Sequence, residues 1–164
     1  MTDLLEHAGT GARLSVPTGW EVVSGGPGEV AHAVGAALEP PRGGADAAAP
    51  AAAFRANLVL SVVPTRLDFR QWQVNTDLLL PQVLTDYLLL DLERLPVAGL
   101  PGGRRLARHV SPEGVDLTME QWFVLVDGAG ITVTATVDSW RYDAVTDELT
   151  AHALSLALPA GVDA

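Results

Sequence analysis

The chain contains no cysteine and no lysine, and only 5% of its residues are aromatic. Without cysteine there is no thiol nucleophile, redox pair, thiolate zinc site or iron–sulfur cluster. Without lysine there is no Walker-type phosphate loop and no Schiff-base chemistry. All ten basic residues are arginine, which together with the many Ala and Gly residues is the composition of a GC-rich genome. Long apolar runs are also missing. No stretch of about 18 apolar residues could span a bilayer. The start, Met1-Thr2-Asp3-Leu4-Leu5-Glu6-His7, has neither the basic nor the apolar region of a signal peptide. The expected location is the cytosol, with no direct membrane insertion.

What is present describes one ordinary domain. The 164 residues are 48% hydrophobic, enough to build a core without staples. Twenty acidic residues against ten basic give a net charge of -10. That charge repels phosphate backbones, so nucleic acid is not an expected partner. It keeps the chain soluble and suits a partner with a basic face.

Alternation predicts strands over 12–16, 30–38 and 54–63, with Val30–Leu38 apolar on both faces and so covered on both. Residues 39–53, rich in Pro, Gly and Ala, read as a mobile loop, and the tail after 158 as flexible. Asp68 and Gln71 form a capping box, so a helix starts there with Phe69, Trp72, Leu79, Val83 and Tyr87 on one face. Pro81 either kinks it or separates two short helices near Thr76-Asp77. Leu88–Glu93 and Arg104–Val110 are further strands, with turns at Gly99–Gly103 and Ser111–Gly114. Asp127-Gly128-Ala129-Gly130 joins two long alternating segments in a hairpin. Asp143 can cap a last helix, and Leu154, Leu156 and Leu158 alternate as a closing strand or extended tail. The sum is an α+β domain, a mostly antiparallel sheet of six or seven strands with two helices.

No complete catalytic set stands out. His7, His32, His109 and His152 are not at metal-ligand spacing, and no cofactor or metal is expected. There is no G-x-S-x-G, and Ser24 is a loop serine. The pairs Asp147-Glu148 and Asp138 with Asp143 read as helix-capping or solvated acids. Arg104 and Arg108 share a strand face and could hold an anion, but cross-strand pairing with Glu93, Asp116 or Glu120 is the favoured use. Trp122, Trp140, Arg141 and Tyr142 are candidate partner-binding residues, since large aromatics beside arginine anchor interfaces. The segment Trp122–Val126 is apolar on both faces. One face left open would form a peptide groove or a homodimer seam.

The order of these pieces resembles the PsbP-like superfamily, which includes the Ran-binding Mog protein, LpqN- and DcrB-type lipoproteins and Eag-type chaperones. The resemblance rests on Leu14-Ser15-Val16-Pro17-Thr18-Gly19-Trp20, on Phe54–Leu60 followed by the helix at Asp68, on Gly99–Gly103, on Gln121-Trp122 in the hairpin, and on Tyr142 leading to Ser155. It implies an α/β/α sandwich around an antiparallel sheet, members that mostly bind proteins, and no shared active site. The absent signal peptide and lipid-bearing Cys bring the cytosolic members nearest. The expectation is a non-enzymatic protein-binding module, a chaperone or adaptor for a secreted or membrane-associated partner. The alternatives are a carrier of a small apolar ligand between helix and sheet, and an enzyme using carboxylates or His alone.

Overall fold

The computed structural model describes residues 2–23, 30–36 and 54–159. In chain order the strands are β1 (Leu4–Glu6), β2 (Arg13–Ser15), β3 (Glu21–Val23), β4 (Ala31–Val34) and β5 (Asn57–Pro64). Helix α1 (Phe69–Val83) precedes β6 (Thr85–Val97), β7 (Leu100–Val110), β8 (Asp116–Val126) and β9 (Ala129–Asp138). A 3-10 turn, Ser139–Arg141, leads into α2 (Tyr142–Leu154). β3 to β9 form one antiparallel sheet in the order β3-β4-β5-β9-β8-β7-β6, and β1 and β2 form a separate ribbon. α1 covers one face of the sheet, while α2 and the ribbon cover the other. This is the expected α/β/α sandwich.

The main core lies on the α2 side. Alternation in β5 puts Leu58 and Leu60 there, opposite Ala135 and Val133 of β9. They join Trp122 and Val124 of β8, Leu5 and Leu14 of the ribbon, and Leu149 and Ala153 of α2. At about 1.5–3 kcal/mol for each large apolar side chain, this cluster supplies much of the driving force for folding.

Two tight hairpins set the register. Asp127 and Gly128 (φ 47° and 74°) close β8–β9 with two residues, shorter than the four-residue connection expected. Ala98 and Gly99 (φ 52° and 76°) close β6–β7 in the same way. Positive φ at both central positions matches the twist of the strands they join. Leu100–Gly103, expected as a turn, is therefore the start of β7.

Other differences have local causes. β4 is buried only through Ala31 and Ala33, its other face being half-exposed, so it is not covered on both sides. α1 runs unbroken through Pro81, which stands so near the helix end that the lost N–H falls in the last turn. Asp143 lies inside α2 rather than capping it; the cap position is Arg141, with no side-chain cap bond. Leu154 is helical, and beyond it Ala157 makes only an isolated bridge to Arg13, so no closing strand forms. β1 and β3 were not expected. The proposed loop at 39–53 and the last five residues of the tail lie outside the described residues.

Candidate functional site

The residues singled out from the sequence fall mostly inside the molecule. Trp122 is 1% exposed and belongs to the core, so it offers no surface to a partner. β8 is buried on both faces from Leu117 to Val124, which overturns the open groove expected along Trp122–Val126. Arg141 is buried against Asp138, its Nε 2.7 Å from Oδ1, and Tyr142 is half-buried. Trp140 alone stays open, 49% exposed, with the Arg141 guanidinium 5.6 Å from its ring centroid.

Arg104 and Arg108 are neutralised where they stand. Arg104 lies opposite Trp122 and reaches Glu120 at 2.9 Å, Asp91 at 3.2 Å and Glu93 at 3.3 Å. Arg108 pairs with Asp116. The cross-strand pairing foreseen for both arginines is present. Glu120, 4% exposed, also accepts from the Tyr142 hydroxyl and from Thr146 Oγ1 at 2.9 Å. Burial, then the hydrogen bond to Glu120, pushes the Tyr142 phenol above its ordinary pKa. Burial alone would weaken the Arg104 charge, but the bond and charge of Glu120 outweigh it and raise its pKa. These contacts tie α2 to the sheet.

A second buried arginine ties down α1. Arg105, 1% exposed, pairs with Asp77, donates to Gln121 Oε1 at 2.7 Å and stacks over Phe123 at 4.9 Å. Next to it Phe69, Trp72 and Phe123 pack with ring centroids 5.8–6.3 Å apart. This aromatic wedge fills the helix–sheet interface at the start of α1.

Catalytic geometry is sparse. Ser15 Oγ is 2.7 Å from His152 Nδ1 and 2.9 Å from Ser155 Oγ, a contact the sequence reading missed. No carboxylate orients that histidine in the hydrogen bonds of the described residues, and the cluster joins β2 to the end of α2. His109 has its pKa lowered by burial, only partly offset by a bond to the Val110 backbone. Among the described residues no group of three His, Asp or Glu could hold a metal ion.

The most unusual surface is one the sequence reading placed indoors. α1 buries no residue completely. Over its second half the half-buried positions are Thr76, Asp77 and Leu80, while Val74, Leu78, Leu79 and Val83 are exposed. Leu78 is 63% and Val83 61% exposed. The predicted inward stripe is thus wrong for Leu79 and Val83, and Tyr87 belongs to β6. The exposed apolar set continues into β6 with Leu88, Leu89 and Leu90. Register places Leu89 on the α1 side, opposite Ala107, and Leu88 on the other face, opposite Arg108, so the patch wraps the edge of the sheet.

Strain gathers at the same place. Asp86, at the α1–β6 junction, has φ 51°, a left-handed conformation costing about 1 kcal/mol for a non-glycine residue. Register shifts interrupt β6 between Thr85 and Leu88 and between Leu89 and Asp91. The Tyr87 hydroxyl is buried with no hydrogen-bond partner among the described residues, and burial raises its pKa against the opposing charge of Arg105.

No protein-family model matches the sequence. No curated protein matches it either. Solved structures do resemble it. LpqN of Mycobacterium tuberculosis, a protein involved in cell envelope biogenesis, superposes with TM-score 0.60 at 12% identity, covering 97% of this chain and 91% of that one. Cyanobacterial PsbP from Synechocystis gives 0.56 at 14%, covering 96% and 92%. The Ran-binding protein Mog1p of Saccharomyces cerevisiae gives 0.55 at 12%, covering 97% and 85%. The chain has the PsbP-like fold, in line with the resemblance read from its sequence.

Proposed function

We propose that this PsbP-like chain is a non-enzymatic protein-binding module whose docking surface is the exposed side of α1 together with the first half of β6. One observation carries the reading: the second half of α1 leaves Leu78, Leu79 and Val83 exposed while Thr76 and Asp77 sit half-buried beside Leu80. A helix that turns Thr76 and Asp77 inward and Leu78 and Leu79 outward reverses the arrangement a monomer favours. A contiguous exposed apolar surface of this kind marks an interaction site. Mog1p, a Ran-binding protein of the same fold, supports a protein as the ligand.

The chemistry of the partner follows from the surroundings. β6 is an edge strand, but its two register shifts and Pro96 oppose the addition of another strand. The partner therefore packs through side chains, as an apolar helix laid along α1, which is about 22 Å long. The protein carries a net charge of -10, and exposed Asp86 lies beside the patch. An apolar helix flanked by basic residues fits both. Segments bound for a membrane or for secretion have that pattern. The module then acts as a cytosolic chaperone or adaptor that shields such a segment. The exposed Trp140 is a secondary contact at most.

The test is site-specific photo-crosslinking in the native host, with the photoreactive residue at position 78 or 89, or at Thr132 on the central strand β9 as a control. A common adduct at 78 and 89, absent at 132, supports the reading, and sequencing it identifies the partner. Adducts of twice the chain mass would replace it with a homodimer seam. No adduct at either position contradicts it.

A further inference from the structure

At the other end of the α1–β6 unit the surface changes character. The start of α1, the end of β6 and the start of β7 enclose an open groove of about 870 Å³, a volume within the usual range of small-molecule sites. Phe69, Leu95, Leu100 and Leu125 supply apolar walls, and Arg70 and Arg94 stand at its rim. Both arginines are exposed.

Five of the nine described arginines are paired with an acid. Arg55, Arg104, Arg105, Arg108 and Arg141 are each held by a carboxylate. Among the described residues Arg70 and Arg94 have no such partner, although the chain has twice as many acids as bases. The one acid lining the groove, Asp68, turns its Oδ1 to the Gln71 N–H at 2.8 Å in the capping box. The groove thus joins two guanidinium groups, unpaired among the described residues, and one capping carboxylate to an apolar wall.

We propose that this groove binds a fatty acyl carboxylate, its head on Arg70 and Arg94 and its chain along Phe69, Leu100 and Leu125. A guanidinium forms strong charge-assisted bonds with a carboxylate, and the alkyl chain gains from leaving water. A peptide fits less well. Pro96 and Pro101 face each other across the hairpin and have no N–H, so a polypeptide would surrender backbone hydration there for few replacements. An alkyl chain has no such groups. The site is separate from the leucine patch, and its ligand is independent of the protein partner proposed above.

The experiment is a titration of the full chain with decanoate, followed by calorimetry and by backbone amide NMR. Saturable one-to-one binding is expected, with shifts centred on Phe69, Arg94 and Leu125. Arg70→Gln/Arg94→Gln weakens it about tenfold or more, whereas Arg66→Gln, exposed but not lining the groove, leaves it unchanged. Decyltrimethylammonium, with the same tail and the opposite charge, binds more weakly than decanoate. No saturable decanoate binding, equal affinity in the double variant, or equal binding of the cationic amphiphile overturns the proposal. Binding at the groove of an acetylated trileucine with a free carboxylate, where decanoate fails, overturns it in favour of a peptide terminus.

Discussion

Gly130 lies directly beneath the indole of Trp72, so close that a Cβ at position 130 would overlap the ring. Gly103 stands in the same relation to the Phe123 ring. Two glycines on neighbouring hairpins thus make the seat into which α1 is wedged. A Gly130→Val substitution is expected to lift Trp72 from the sheet and cost about 1–3 kcal/mol, the usual penalty of overpacking. Urea unfolding would measure the loss, and a red shift of tryptophan emission in the folded baseline would show the ring moving into water.

Glu120 is the shared acceptor of Arg104, Tyr142 and Thr146. Glu120→Ala strips all three of a partner and leaves the arginine facing only the two exposed acids of β6. Breaking a buried pair from one side costs about 3–5 kcal/mol. Tyr142→Phe removes one neutral donor and is expected to cost about 1 kcal/mol. Chemical denaturation of both variants should show that ordering, and a reversed ordering would remove Glu120 from its central place.

Leu78 and Leu89 should behave in the opposite way. Both are exposed, so Leu78→Glu and Leu89→Glu are expected to change stability by no more than about 0.5 kcal/mol. A loss of several kcal/mol in either would mean that the chain itself uses these leucines, which would contradict an external partner.

Burial holds His109 below its ordinary pKa, so the native state resists protonation there while the unfolded chain takes up a proton near pH 6.5. The unfolded state then binds more protons, and stability falls as pH drops below about 6.5 towards the native pKa. His109→Gln should flatten the decline in melting temperature between pH 7 and pH 5 relative to the parent. An unchanged slope would place the dependence on other groups.

Local chemistry was the legible part of this sequence. The Asp68–Gln71 capping box forms as the spacing implies. The pairing of Arg104 with Glu93 and Glu120, and of Arg108 with Asp116, follows from strand alternation alone. The exposed face of α1 was not legible, for a physical reason. Leu78-Leu79-Leu80 spans most of the helix circumference and Leu88-Leu89-Leu90 points to both faces of a strand, so periodicity cannot say which leucine is left outside. Those two runs were nonetheless a signal, because no single core takes all six. Trp122 was misplaced because it shares a strand face with the acidic Glu120, which makes that face mixed. That carboxylate is buried because Arg104, Tyr142 and Thr146 arrive from other segments to satisfy it, information that lies beyond any window around it.

The central claim is that partner docking runs through the leucines of α1 and β6 and not through the aromatic corner at Trp140. Tagged parent chain, Leu78→Glu/Leu89→Glu and Trp140→Ala should be used in parallel to capture proteins from the native host at moderate salt, with quantitative mass spectrometry of what is retained. The account predicts one dominant protein held by the parent and by Trp140→Ala and lost from the leucine variant. Retention of that protein by the leucine variant, with loss from Trp140→Ala, would contradict it and return the interface to the corner.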